Sequence, residues 1–403
     1  MKVVLSAFAC DPSKGSEPHN GWCWASGLAE RGYEVHCLTR DDGKASIEQQ
    51  KTVPNLHFHY VVLPLGLEKM YAASTASMYL YYLLWQWLSY RRAKKLHRTQ
   101  QFSLAHHVTW GSLQMGSFLY KLNIPFIFGP VGGGQKAPEK FKKYFLNHWA
   151  TEEKREKISD FMGKYSPACK KMLGKADVVI VTNNETLEMA RSIGAKKISF
   201  CLDFALPESF FPAVFTPKQP EPNRLQLLWV GRFLPRKGIL LILDVMMELK
   251  DYSGITLTVV GDGEMRSAFL DTITKYSLEQ TVDWKGSVPF VEVKKFYATH
   301  DVFFFTSLRD SSPAQLVEAM AYGMPVVTLN LHGQAMNIND QTGIRCACDT
   351  PEMAISELKK AILFLYNNQQ TVTSMSTAAH AYALQQTWTN KINHIVHEYY
   401  PAE

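Results

Sequence analysis

Residues 307–325 read SLRDSSPAQLVEAMAYGMP, and the way this stretch divides decides the architecture. Ser312 stands where a helix cap belongs, Pro313 suits the first helical position and Gln315 completes a capping box, while Gly323 and Pro325 close the helix. The apolar run 302–306 just before it reads as a buried strand. A short helix that starts at a strand's carboxyl end is the unit of a doubly wound sheet, and ligands of such sheets bind there. The helix start offers the amides of Ala314 and Gln315 to ligand oxygens. Asp310 lies before the helix and Glu318 about two turns along it. Two acceptor-only carboxylates so placed suit separate hydroxyls of one elongated ligand, such as the diols of a ribose and a hexose.

Working outward, residues 231–238 read GRFLPRKG between an apolar strand, 225–230, and a helix, 239–250. Arg232 brings a planar fork and Lys237 a point charge, both suited to a diphosphate whose negative charge grows as a bond to it breaks. The next strand, 255–260, ends in Gly261-Asp262-Gly263-Glu264 and leads into a helix to residue 276. Strands at 282–285 and 326–329 continue the alternation. At the other end of the chain, strand 3–8, a turn-rich loop 11–20 carrying Gly15 and Ser16, helix 21–31 and strand 33–39 form a further βαβ unit. Buried strands alternating with helices call for parallel sheets covered on both faces. With 403 residues the chain is long enough for two such domains, joined through the Pro- and Phe-rich stretch 204–223, with helix alone after Pro351.

The GR(x4)KG loop, the GDGE turn at 261–264, the step Gly286-Ser287-Val288 and the run Asp310-x7-Glu318-Ala-Met-Ala-x-Gly-Met-Pro follow one another in an order and spacing that resembles glycosyltransferase family 4. The resemblance covers the second domain; Gly15-Ser16-Glu17-Pro18 and the glycine-rich 129–134 are similar to a subset of such enzymes. It implies an α/β GT-B fold, two Rossmann-like parallel-sheet domains facing a central cleft: 1–205 for the acceptor, 206–385 for the donor, and 386–403 a helix crossing back to the first. It further implies a retaining transfer of a hexosyl group from a nucleotide-diphosphate sugar, and the absence of any Asp-x-Asp makes that transfer metal-independent. Arg232 and Lys237 would hold the diphosphate, Glu318 the ribose and Asp310 the donor sugar. Gly231, Gly263, Glu264, Val288, Ser312, Ala314 and Gln315 would complete the donor site, and Gly15 and Ser16 would approach the phosphates from the first domain. His106 or His107, just after the strand-like 102–105 and near where the family often has a histidine, would donate to the sugar or the departing phosphate. The family usually has Glu where this chain has Asp310 and Gly where it has Pro313, which leaves the donor sugar open.

Composition sets the outer limits. With 46% apolar and 20% charged residues the chain reads as globular, and a net charge of +6 favours anionic ligands without arguing for nucleic acid. Cys10, Cys23, Cys37, Cys169, Cys201, Cys346 and Cys348 show no CxxC pair and read as reduced thiols of a cytoplasmic protein. The apolar run at 3–10 is shorter than a secretory h-region and is better read as a strand. The stretch 71–90 carries no charge and is followed by Arg91, Arg92, Lys94 and Lys95. Its serines and tyrosines make it too polar to span a bilayer, so it reads as a helix packed on the first domain or resting on the inner face of a membrane. No Asp-x-Asp occurs, so no paired-carboxylate metal site and no cofactor are expected. The expected partners are a nucleotide-sugar donor and a saccharide or lipid-linked acceptor, in surface polysaccharide or glycolipid synthesis. An epimerase or phosphorylase of the same fold, or an inactive donor-binding subunit, are the alternatives; glycosyl hydrolysis leaves the basic loop without a purpose.

Overall fold

A computed structural model describes residues 1–51 and 53–401, the side chain of Thr75 excepted. The chain divides into two compact units: Met1–Gly134, Lys157–Ala205 and Trp388–Glu403 in the first, Gln135–Glu156 and Leu206–Thr387 in the second. In the first unit β1 (Lys2–Ala7), β2 (Glu34–Thr39), β3 (Leu56–Tyr60), β4 (Leu104–Thr109), β5 (Phe126–Val131), β6 (Val178–Val181) and β7 (Ile198–Phe200) form one sheet in the order 3-2-1-4-5-6-7. In the second, β8 (Leu225–Val230), β9 (Ile255–Val260), β10 (Val282–Trp284), β11 (Val302–Phe305), β12 (Val326–Leu329) and β13 (Gly343–Cys346) line up as 10-9-8-11-12-13. Every pairing is parallel. Both orders reverse beside the first strand of their sheet, between β1 and β4 and between β8 and β11, and such reversals open a crevice at the strands' carboxyl ends.

Central strands such as Val-Val-Ile-Val of β6 and Val-Phe-Phe-Phe of β11 are buried along their whole length because helices cover both faces. The alternation of β1 shows the two layers directly. Val3, Leu5 and Ala7 enter a cluster with Trp24, Leu28 and Ile392, while Val4 and Phe8 enter another with Tyr82, Trp85 and Phe128.

The terminal helix Trp388–Tyr399 packs within the first unit, beside helix Ser16–Glu30. Trp388 meets Trp24 edge-on at 5.9 Å, and Arg31 donates to Asn393 Oδ1 at 2.6 Å and to the Thr389 carbonyl at 2.9 Å. Gln386 and Thr387 remain with the second unit, where the Leu206 amide donates to the Gln386 carbonyl at 2.9 Å; Ala402 and Glu403 lie outside the described residues.

One boundary differs from the sequence reading. Gln135–Glu156, assigned there to the first domain, belongs to the second unit. Its Phe141, Tyr144, Phe145 and Trp149 are buried in that unit's core with Trp229, Phe233 and Leu240. Tyr144 donates to Asp244 at 2.7 Å, and Arg309 forms a two-point pair with Glu152 at 2.5 and 3.1 Å. The lysines of this segment mask an amphipathic pattern that buries aromatic rings.

Candidate functional site

The crevice of the second unit lies where β8 and β11 run side by side, with Val302 opposite Leu227 and Phe303 opposite Leu228. The loop after β8 is 231–238 and the loop after β11 is 306–313, so the two segments singled out in the sequence meet here. Hydrogen bonds to backbone carbonyls lace them together: the Leu308 amide donates to the Arg236 carbonyl at 2.8 Å, Ser307 Oγ donates to the same oxygen at 3.1 Å, and Thr306 Oγ1 donates to the Gly238 carbonyl at 3.0 Å. Gly238 permits the approach. Its φ is +65°, and a Cβ there would stand 2.2 Å from the Thr306 carbonyl oxygen.

Three cations gather at this junction. The Lys237 ammonium is buried, donates to Asp310 Oδ2 and lies 5.1 Å above the Phe305 ring. Burial pulls its pKa down, and the Asp310 carboxylate opposes that pull. Arg236 approaches the same carboxylate at 3.4 Å, and Ser307 Oγ donates to it at 3.3 Å. Against the cost of burial, these partners hold the Asp310 pKa below its ordinary value. Asp310 is therefore engaged with Lys237 rather than standing as a free acceptor paired with Glu318. Arg232, by contrast, is exposed and forms no ion pair among the described residues. It is a cation in want of an anion.

Helix Ala314–Ala321 begins at Pro313, whose backbone is extended, and no side chain caps it. The capping box expected of Ser312 and Gln315 does not form. Instead the Ser312 hydroxyl oxygen is buried without a hydrogen-bond partner, and the first-turn amides of Ala314 and Gln315 keep no side-chain acceptor. An uncapped helix start of this kind presents partial positive charge to an anion or a sugar oxygen. Glu318, on the next turn, accepts from the Tyr297 hydroxyl at 2.9 Å. Burial raises its pKa to about 7, with the Tyr297 bond and Lys237 opposing.

The turn after β9 joins the same edge. Gly261, at φ +137°, lies so close that a Cβ there would be 1.8 Å from the Gly231 carbonyl oxygen. Gly263 is held by Asp262 Oδ1 at 2.7 Å, Glu264 is exposed and 3.8 Å from His148 Nδ1, and Val288 follows the Gly286 turn after β10. The structure thus brings Gly231, Arg232, Lys237, Gly263, Asp310, Ser312, Ala314 and Gln315 to the carboxyl ends of β8, β9 and β11, with Glu318 one turn behind.

In the first unit the corresponding reversal is framed by the loops after β1 and β4. Gly15 and Ser16 are exposed at the uncapped start of helix Ser16–Glu30. Glu17, quoted with them in the sequence but given no role there, accepts through Oε1 from the amides of Trp110 at 2.6 Å and Gly111 at 2.7 Å. That carboxylate ties the two crevice loops together and fixes Trp110 at φ +70° with its ring stacked on Tyr82 at 4.4 Å. A non-glycine in the left-handed region at a ligand edge marks a place where surrounding structure overrides local preference. The only sequence signal was the adjacency of Glu17 to the Gly-Ser pair.

His106 and His107 must be withdrawn as candidates for direct catalysis. They lie inside β4, not after it, and both are fully buried. His106 bridges the Tyr400 hydroxyl and the Gly129 carbonyl at 2.9 Å each, and His107 meets Ser6 Oγ at 3.0 Å. Desolvation pulls their pKa values down to about 4 and about 3. They are neutral core groups at physiological pH.

Two doubly wound parallel sheets, each with its loops gathered at a strand-order reversal, define the fold of GT-B glycosyltransferases. Residues 213–382, all within the second unit, match the family described as glycosyl transferases group 1. The chain is 24% identical over 196 residues, 48% of its length, to a component of the phosphatidylinositol N-acetylglucosaminyltransferase of Arabidopsis thaliana, and it spans 42% of that relative. It is 24% identical over 270 residues, 60% of its length, to a putative colanic acid biosynthesis glycosyltransferase, WcaL, of Salmonella typhimurium, spanning 64% of that protein. Among solved structures, the sucrose-phosphate synthase of Thermosynechococcus elongatus superposes with a TM-score of 0.70 at 17% identity, covering 99% of this chain and 98% of that one. This likeness is one of fold.

Proposed function

We propose that the protein is a retaining glycosyltransferase that moves a hexose from a nucleotide-diphosphate sugar to a saccharide or lipid-linked saccharide, in the synthesis of a surface polysaccharide or glycolipid. The observation that carries the reading is the unpaired, exposed Arg232 beside buried Lys237 at the strand-order reversal of the second unit. The bond from the sugar's anomeric carbon to the diphosphate oxygen breaks, and the electron pair leaves with the diphosphate. Arg232 and Lys237 neutralise that growing charge, which replaces a divalent ion. The acceptor hydroxyl attacks on the face the nucleotide leaves, and its proton ends on the departing phosphate. Glu318 accepts from the ribose hydroxyls, and the first-turn amides of helix Ala314–Ala321 face the donor's oxygens. Asp310 is a positioning residue for Lys237, a role its short side chain fills.

For the acceptor, helix Thr75–Gln100 supports a membrane-proximal reading. It exposes Leu80, Leu83 and Trp87 on one side and continues into Arg91, whose guanidinium lies 4.8 Å over the Trp87 ring. No helix among the described residues is long and apolar enough to cross a membrane. An apolar patch running into basic residues suits peripheral contact with an anionic leaflet.

A thermal-shift screen with UDP, GDP and ADP and their sugars tests the donor assignment, since a ligand of the folded state raises the melting temperature. The reading requires at least one diphosphate to stabilise the wild type and to lose that effect in Arg232→Ala. Turnover that needs a separate saccharide acceptor distinguishes transfer from epimerisation, and equal turnover without one would favour the latter.

A further inference from the structure

Strands β2 and β3 run parallel at the edge of the first unit's sheet, with His36 in register with His57. Glu34 and His36, two residues apart, share one face of β2, and His36 Nε2 is 3.3 Å from Glu34 Oε1. The His36 and His57 rings are 4.8 Å apart, and one donor atom each from Glu34, His36 and His57 falls within 4.8 Å of the others. His59 completes the group: its Nε2 is 2.9 Å from His36 Nδ1, and the two rings stack at 5.2 Å. His36 is buried, with the Phe102 ring edge-on at 5.1 Å, whereas His57 is exposed and forms no hydrogen bond among the described residues.

From this geometry we propose that Glu34, His36 and His57 form a binding site for a late first-row divalent ion, zinc foremost. In a tetrahedral site with bonds of about 2.0–2.1 Å, neighbouring ligand atoms stand about 3.3–3.4 Å apart. The Glu34–His36 separation already has that length, and the exposed His57 ring closes the third side by a rotation. His59 holds the far nitrogen of His36 and so aims Nε2 at the ion, the task of an outer partner in histidine–metal sites. Two imidazoles and one carboxylate select zinc, nickel, copper or iron(II) over magnesium and calcium, which take oxygen. Lys2 Nζ now donates to Glu34 Oε1 at 2.9 Å and to Gln100 Oε1 at 2.9 Å, so the ion displaces an ammonium from the carboxylate. The ligands lie toward the amino ends of β2 and β3, opposite the edge that carries Gly15 and Trp110. The ion's role is to clamp an edge strand, not to serve transfer.

Tag-free, metal-stripped protein titrated with cobalt(II) and then zinc, with visible absorption and equilibrium dialysis as readouts, tests the site. The wild type is expected to take one ion per chain with the visible bands of a low-symmetry cobalt site, and zinc is expected to raise its melting temperature. His57→Ala and Glu34→Gln should each weaken binding about tenfold or more. Lys2→Met should tighten it, a change that a merely structural cluster of histidines does not produce. Circular dichroism confirms that each variant is folded, and exposed His57 is the substitution least able to unfold the chain. Absence of stoichiometric uptake by the wild type, or equal uptake by the wild type, His57→Ala and Glu34→Gln, would overturn the proposal. Sugar transfer by His57→Ala should match the wild type whether or not this site binds metal, which keeps this test separate from that of the proposed function.

Discussion

At the scale of single residues, Glu318 and the pair His106–His107 show how burial divides groups of similar chemistry into different roles. Burial raises the Glu318 pKa to about 7, and in the proposed function its ionised form is the stronger acceptor for the ribose hydroxyls. A proton therefore competes with the donor: affinity should fall about tenfold from pH 8 to pH 6. Calorimetric titration of the nucleotide-diphosphate sugar, whose esterified phosphates do not titrate across that range, checks this, and Glu318→Gln should remove the inflection. His106 and His107 have folded-state pKa values of about 4 and about 3, below the ordinary 6.5. The unfolded chain thus binds more protons between those values and 6.5, and stability falls as pH drops through that window. Each histidine costs about 2 kcal/mol at pH 5 relative to neutrality. Urea unfolding at pH 5 and pH 8 should show this loss, and His107→Gln should reduce it.

At the scale of elements, the approach of the loops after β8 and β11 depends on Gly238, where φ is positive and a side chain would strike the Thr306 carbonyl. Gly238→Ala should destabilise the fold by about 2–4 kcal/mol in chemical denaturation. It should also abolish nucleotide binding where the protein remains folded. These elements were legible from sequence because buried parallel strands are short apolar runs: 225–230, 255–260 and 326–329 coincide with β8, β9 and β12. Where a strand carries polar residues the pattern fails. The two histidines of β4 hid its continuation to Thr109, and His57 and His59 hid β3. The helix after β11 was legible, its cap was not: Ser312, Pro313 and Gln315 satisfy the motif locally, but Pro313 takes the extended backbone that the motif reserves for serine. The tie between Glu17 and the Trp110 loop was not legible because their bond spans 93 residues.

At the scale of the whole molecule, the second unit carries the residues that match the group 1 family and the cations of the candidate site, while the first carries the exposed Leu80, Leu83 and Trp87. Flotation with vesicles rich in anionic lipid should recover the wild type and lose most of a Leu83→Ser/Trp87→Ser variant, with less recovery as salt rises. Equal flotation of both proteins would remove helix Thr75–Gln100 from the membrane reading. The central claim is that side-chain cations of the second unit take the place of a divalent ion as the diphosphate departs. Its most direct test is sugar transfer at saturating donor in excess chelator, by the wild type and by Arg232→Ala. The account predicts full wild-type turnover in chelator and a loss of about 100-fold or more in the variant. Strict dependence of wild-type turnover on added magnesium or manganese, or an Arg232→Ala variant as fast as the wild type, would contradict it.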